Sequence, residues 1–176
     1  MTDTILTKLT IDGVRELFQQ AGYRVEAVVD PVINATYLRS ATGGLAFDIR
    51  PGNRLPGDDQ GFADMSFIAV LQVQGTLPLE PVNRWNATRR FGRLQLSDSF
   101  LAFCMDISVV GGVTSQYLRA QIEIWDRLVQ ELIAYLREEL RQLGAANEAQ
   151  AATASRDAQQ PQPDRVAEAG ASATIQ

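Results

Sequence analysis

The sequence predicts an α+β domain with one antiparallel β-sheet and flanking helices, in the order α-β-β-β-β-α-β-β-α. Two observations lead to this fold class. Apolar residues recur at helical spacing over residues 11–21 and 114–143. Between those ranges, short apolar segments have the alternation of strands, and glycine, proline and aspartate separate them. A long amphipathic helix must pack on something, and the strands offer it a sheet.

The first helix is predicted over residues 11–21, after an N-terminal arm of residues 1–9 that we expect to be flexible. Thr10 suits the N-cap position, and Asp12 places a negative charge in the first turn, where the helix dipole favours it. Gly22 is a typical residue to end this helix. Its apolar face consists of Ile11, Val14, Leu17, Phe18 and Ala21.

Four strands are predicted next. Residues 23–29, 35–40 and 44–50 are short and alternate, and residues 51–61 form a loop rich in glycine and proline. Residues 62–75 form the longest strand candidate. Because both of its faces are apolar near the middle, we expect it at the centre of the sheet.

A second helix begins near Pro81, which fits a first helical turn, and ends at Gly92. Residues 93–97 and 100–109 then form a hairpin, and the last helix runs from about residue 114 to 143. Its main stripe has heptad spacing, which favours packing on the sheet over a coiled coil because it is short. The stripe consists of Leu118, Ile122, Trp125, Val129, Leu132 and Leu136.

The last helix has a second apolar stripe, formed by Ile124, Leu128 and Tyr135. One sheet face typically covers only one such stripe. We therefore expect these three residues to form an interaction surface for a protein partner or a homodimer. The domain is predicted to span residues 10–143. The Ala- and Gln-rich residues 144–176 contain too few large apolar side chains to fold, so we expect a disordered tail.

Composition excludes several classes of function. The chain has 176 residues and a net charge of −5, with no run of lysine or arginine, so it is a poor ligand for nucleic acid or for an anionic membrane. The absence of histidine removes the commonest general base and metal ligand. Cys104 lies in an apolar run and is expected to be a buried, unreactive thiol. Without a signal peptide or a membrane span, the chain is expected to be cytoplasmic.

Three aspartates, Asp48, Asp64 and Asp106, punctuate the strands, but their spacing predicts solvated strand positions rather than a metal site or a catalytic pair. We therefore expect no metal, no cofactor and no enzymatic activity.

Four arginines, Arg84, Arg89, Arg90 and Arg93, lie close together in the sequence. They could bind an anion, but Arg84 points away from Arg89 on a helix. The alternative is that Arg89 or Arg90 forms a structural ion pair with an aspartate of the sheet, beside Asn86, which would also need a partner.

Several segments resemble the YbjN-domain family of bacterial proteins. They are FDIR, GFADMSF, LPLEPVNRWNATRRFGRL and FLAFCMDISVVGGVTSQYLRAQIEIWDRLVQEL, and the resemblance covers residues 10–137. It implies a fold similar to type III secretion chaperones and brings no catalytic motif. Members are described as candidate regulators of sensory transduction. The resemblance and the helix surface together favour a non-enzymatic protein-binding, adaptor or chaperone-like regulator, and a sensor of small anions using residues 84–93 is the alternative.

Overall fold

The computed structural model describes residues 5–157 and confirms the predicted α+β class. Its elements are β1 (Ile5–Leu6), α1 (Ile11–Gln20), β2 (Glu26–Val29), β3 (Thr36–Thr42), β4 (Leu45–Pro51), β5 (Asp64–Gln72), α2 (Leu79–Thr88), β6 (Arg93–Leu96), β7 (Phe100–Ser108), β8 (Val113–Thr114) and α3 (Ser115–Asp157). Apart from the two-residue strands β1 and β8, this is the predicted order. Internal contacts divide the chain into two units after Leu136, and the β-sheets belong to the first unit.

The main sheet has six antiparallel strands in the order β2-β3-β4-β5-β7-β6. Strand β5 lies between β4 and β7, as its two apolar faces predicted. The outermost strands, β2 and β6, form the two edges.

All three helices contact one face of this sheet, the inner face. Trp125 of α3 lies against three aromatic rings of the strands, with ring centroids 5.4 Å from Phe47, 5.6 Å from Phe67 and 5.0 Å from Phe103. Phe18 of α1 reaches two of these rings, with centroids 5.4 Å from Phe67 and 6.1 Å from Phe47. Burial of each large side chain contributes about 1.5–3 kcal/mol, so this aromatic cluster is a main source of stability.

The heptad-spaced stripe of α3 is confirmed as core. Leu118, Ile122, Trp125, Val129 and Leu132 are all buried, and Leu136 is partly buried. The spacing of this stripe predicted packing on a sheet, and Trp125 at its centre contacts rings of β4, β5 and β7.

The N-terminal segment is more ordered than predicted. Residues 5–9 are not a loose arm, because β1 pairs with β8 and Leu9 exchanges two backbone hydrogen bonds with Phe62, at 2.8 and 2.9 Å. Leu9 is also buried. The buried side chain of Leu9 and its hydrogen bonds to Phe62 hold this segment on the domain, and composition alone does not reveal these long-range contacts.

Helix α3 also continues further than predicted. It ends at Asp157, so residues 144–157 are helical rather than disordered. Alanine, the best helix former, is frequent here and extends the helix without large apolar side chains. In the second unit, Arg141 and Gln142 donate hydrogen bonds to Glu138, and they lower the pKa of this carboxyl to about 2. The rest of the predicted tail, residues 158–176, lies outside the described residues.

Candidate binding surface at the turn between α2 and β6

The connection from α2 to β6 is built around Trp85 and Gly92. Trp85 is fully buried, and its indole Nε1–H donates a hydrogen bond to the carbonyl of Gly92 at 3.0 Å. Its ring packs edge-on against Phe103, with centroids 5.6 Å apart. A Cβ at Gly92 would lie 2.4 Å from the Phe103 ring, so only glycine lets the backbone pass here.

Helix α2 ends earlier than predicted, at Thr88 instead of Gly92. The Thr88 hydroxyl donates to the carbonyl of Arg84 at 2.7 Å, and Arg89 has extended backbone angles. The early end is necessary because the chain must turn back within four residues to bring Gly92 to the Trp85 indole.

Phe91 occupies this turn in a strained conformation. Its φ is +70°, in the region that bulky residues avoid. The N–H of Gly92 donates to the carbonyl of Arg90 at 2.9 Å, which closes a three-residue γ-turn of the rare, strained type. The Phe91 side chain is 65% exposed. Sequence reasoning placed this residue inside a helix and therefore missed it.

Three of the predicted arginines are located by the structure as follows. Arg89 lies over the Trp85 ring, 5.5 Å from its centroid, and its Nε is 3.4 Å from a carboxyl oxygen of Glu131 on α3. Arg89 therefore has an acidic partner, which is on a helix rather than on the sheet. Arg90 is exposed and forms no ion pair within residues 5–157. Arg93 pairs with Asp106 of β7.

Asn86 finds the partners that its predicted position required. Its amide group donates to the Leu94 carbonyl at 3.0 Å and accepts from the Leu94 N–H at 2.8 Å. The side chain thus takes the place of a neighbouring strand, and it closes the β6 edge of the sheet.

The three predicted aspartates lie apart from one another. Asp48 accepts hydrogen bonds from Arg39 at 2.8 and 3.2 Å and lies 3.3 Å from Arg50, on the outer sheet face. Asp64 accepts from the backbone and side chain of Asn53. Within residues 5–157, no group of three or more potential metal-ligating side chains occurs.

Asp106 and Cys104 are neighbours on the outer face. Burial raises the pKa of Asp106, but hydrogen bonds from Ser66 and Arg93 outweigh this, so the pKa lies below its usual value. Burial also raises the pKa of the Cys104 thiol. A raised thiol pKa agrees with the prediction of an unreactive cysteine.

The predicted interaction surface on α3 is covered within the chain, and that prediction needs correction. Leu128 is buried, and Ile124 and Tyr135 are partly buried against the core. The Tyr135 hydroxyl donates to the Pro81 carbonyl at 2.7 Å, and its ring contacts Trp85. Helix α2 therefore packs on Tyr135 of the second stripe, an arrangement that the periodicity of α3 alone could not reveal.

An open cleft of about 570 Å³ lies near the start of α1 and is lined by side chains that include Asn34, Arg54 and Gln60. None of the arginines of residues 84–93 lines it. Since two of those arginines are already paired with carboxylates on different elements, the residues do not converge on one anion site.

Comparison with known proteins gives the following. The family model YbjN, described as "Putative bacterial sensory transduction regulator", matches residues 10–138. The crystal structure of "YbjN, a putative transcription regulator from E. coli" has 18% sequence identity and a TM-score of 0.47, with 68% of this chain and 84% of the E. coli chain covered. No curated protein matches significantly. In the described residues, no helix is both long and apolar enough to cross a bilayer. The family match spans most of the chain, which therefore belongs to the YbjN family.

Proposed function

We propose that this chain is a non-enzymatic regulatory domain that binds an acidic segment of a partner protein in the cytoplasm, through Phe91 and Arg90. The observation that supports the proposal is the exposure of a large aromatic side chain on a strained backbone. Strain of this kind is often found at ligand clamps and switch regions. The description of the family as regulators agrees with such a role.

The fold itself gains little from Phe91. A left-handed conformation is unfavourable by about 1–2 kcal/mol for a residue with a side chain. Glycine or asparagine would adopt the same turn with less strain. Since most of the ring is exposed, its burial offsets little of this strain. Contact with a partner would bury it.

The charge beside Phe91 indicates what kind of segment would bind. Arg90 is exposed next to it, and the guanidinium of Arg89 is only partly screened by Glu131. A segment with one large apolar side chain flanked by aspartate or glutamate would match an aromatic residue between cationic groups. The chain as a whole is acidic, so a basic site of this kind is opposite in sign to the net charge of the chain.

The experiment is a selection of displayed random peptides on the full chain, followed by affinity measurements on the variants with the enriched peptides. We expect enrichment of acidic residues around one large apolar residue. Phe91→Asn and Arg90→Glu should each weaken binding by at least about tenfold. Phe91→Asn should melt at the same temperature as the native chain or higher, because asparagine tolerates a positive φ.

Two control variants match these changes. Phe100→Asn removes another partly exposed phenylalanine, and Arg119→Glu makes the same charge reversal on an exposed face of α3. Both should bind as the native chain does. The proposal is wrong if no acidic consensus emerges, or if the selected peptides bind the Phe91→Asn variant with unchanged affinity.

A further inference from the structure

The two edges of the main sheet differ in how their backbone groups are satisfied. At the β6 edge, Asn86 bonds both outward backbone groups of Leu94. At the β2 edge, no strand within residues 5–157 pairs with the outer side of β2. An edge of this kind presents N–H and C=O groups that can pair with another chain.

The backbone groups that face outward from β2 follow from its pairing with β3. The Asp30 N–H donates to the Ala35 carbonyl at 2.9 Å, and inward and outward groups alternate in an antiparallel pair. Ala27 and Val29 therefore direct their N–H and C=O groups towards the free edge. Two residues of the same strand are thus available for new ladder hydrogen bonds.

Apolar side chains lie along and beside this edge. Val29 is 56% exposed, and Val32 and Ile33, in the loop just after β2, are 88% and 68% exposed. Adjacent exposed aliphatic residues of this kind indicate a surface that gains from being covered.

Among antiparallel pairings of two copies centred within β2, the charges favour the one about Ala27. Arg24, Glu26, Val28 and Asp30 share the outer face, since their partners include Arg39 and Tyr37 of β3. If the two copies pair antiparallel about Ala27, Arg24 of each copy faces Asp30 of the other. Pairing about Glu26 would bring two Glu26 carboxylates together. Pairing about Val28 would place Glu26 against Asp30. Opposite charges directly across a ladder stabilise it, and like charges destabilise it.

We propose that a second copy of this chain docks on β2, antiparallel and centred on Ala27, so that two six-stranded sheets join across a two-fold axis. A two-fold contact of this type uses the same surface on both copies and closes after two. Val25 and Val29 then form cross-strand apolar pairs on the inner face. The β6 edges, and with them the Phe91 turns, lie at the two far ends of the joined sheet, so this dimer and the proposed peptide site do not compete.

Sedimentation of the full chain from about 1 to 200 µM tests the proposal, a range that covers micromolar dissociation constants. We expect a reversible dimer. Ala27→Pro removes an outward N–H without removing a β2–β3 hydrogen bond. Because the two-fold axis repeats the change in both copies, the dimer loses two hydrogen bonds, and its dissociation constant should rise by at least about tenfold. Ala27→Val keeps the N–H and should leave the dimer intact. Circular dichroism shows whether each variant is folded.

A crosslink tests the register independently of the proline variant. Ala27→Cys should form an intermolecular disulfide under mild oxidation, since directly opposite residues have Cα atoms about 5.5 Å apart, within the range for disulfides. Ser97→Cys, at an exposed position in the turn between β6 and β7, should not. The native Cys104 is buried and serves as an internal background.

Three results would overturn the proposal. The first is a monomer throughout the concentration range. The second is a dimer that Ala27→Pro leaves unchanged. The third is a dimer that persists without a crosslink at Ala27→Cys, which would place the contact elsewhere. If the edge is covered by residues 158–176 of the same chain, deletion of those residues would convert a monomer into a dimer, and this too counts against the native chain as a dimer.

Discussion

The α2–β6 end of the sheet and the β2 end are stabilised by different means. At the α2–β6 end, a helix packs its tryptophan on the inner face, an asparagine completes the edge strand and a glycine passes a phenylalanine ring at close range. At the β2 end, Leu38 of the neighbouring strand β3 is buried in the core, and outer-face ion pairs join Arg39 with Asp48 and Arg50 with Asp30. Side-chain hydrogen bonds and apolar packing therefore complete one edge, whereas the exposed ion pairs at the other end contribute little and leave the outward backbone groups of β2 unbonded by these side chains.

The largest expected effect is that of Trp85→Ala. It removes a fully buried ring and the hydrogen bond to Gly92, and it should lower the free energy of unfolding by about 3–5 kcal/mol. The matched change at the other end is Tyr37→Ala, whose ring lies on the outer face 4.2 Å from the Arg50 guanidinium. It should lower the free energy by about 1–2 kcal/mol. Denaturant titration measures both values, and equal losses would remove the contrast between the two ends.

Gly92→Ala comes next. The added Cβ would meet the Phe103 ring at 2.4 Å in a packed interior, so we expect a loss of about 3 kcal/mol. Gly44→Ala, in the β3–β4 turn, meets no atom within 4 Å and carries only the penalty of its φ of +80°, about 1–2 kcal/mol. Thermal unfolding of the two variants compares a steric penalty with a conformational one. A smaller loss at Gly92 than at Gly44 would mean that the α2–β6 end can relax.

Asn86→Ala tests the closed edge directly. It leaves the N–H and C=O of Leu94 without their partners, which should lower the free energy of unfolding by about 2 kcal/mol. Hydrogen exchange at the Leu94 amide should then speed up more than exchange in β7. Asn86→Asp keeps the acceptor but loses the donor, so it should give an intermediate loss of stability while the Leu94 amide stays protected. Unchanged exchange in Asn86→Ala would show that α2 shields the edge without this side chain.

The smallest effect concerns acid. Hydrogen bonds from Ser66 and Arg93 hold the folded-state pKa of Asp106 below its ordinary value. The stabilisation that Asp106 gives the fold is therefore complete above the pKa of the unfolded chain, and it is lost as the pH falls through the lower folded-state pKa. Since Asp106 and Arg93 are about half exposed, we expect less than about 1 kcal/mol. Asp106→Asn should reduce the fall in stability below about pH 4. A stronger acid dependence in this variant would contradict the assignment.

At the β2 end, the backbone N–H groups of Val32 and Ile33 donate hydrogen bonds to the Asp30 carboxyl. These bonds, with a smaller contribution from Arg50, lower the pKa of Asp30, as the pKa of Asp106 is lowered at the other end. Acid therefore weakens polar contacts at both ends. The two ends differ in their apolar packing, and pH does not reveal that difference.

Elements that depend on local periodicity could be predicted from the sequence, and those that depend on distant contacts could not. The α3 stripe and the central position of β5 follow from spacing alone. That α2 packs on Tyr135 depends on how two helices cross, and no spacing encodes this. Similarly, the sequence predicts that the second helix continues through Phe91, because the hydrogen bond from the Trp85 indole to the Gly92 carbonyl, which requires an earlier turn, is not visible in the spacing. Phe91 was missed for this reason.

The two tryptophans give the molecule an optical property that follows from their burial. Both indoles are inaccessible to water, and Trp125 stacks on Phe103, with no hydrogen-bond acceptor for its Nε1–H among the described residues. Indole emission depends on the polarity around the ring, so the folded chain should emit at short wavelength and shift to the red only when the core opens. The Trp85 indole is hydrogen-bonded to the Gly92 carbonyl of the Phe91 turn, so occupation of that turn can change its emission. The ring contacts of both indoles lie away from β2, so occupation of the β2 edge should leave the spectrum unchanged. Intrinsic fluorescence will thus report unfolding of this protein while remaining silent to pairing at the β2 edge.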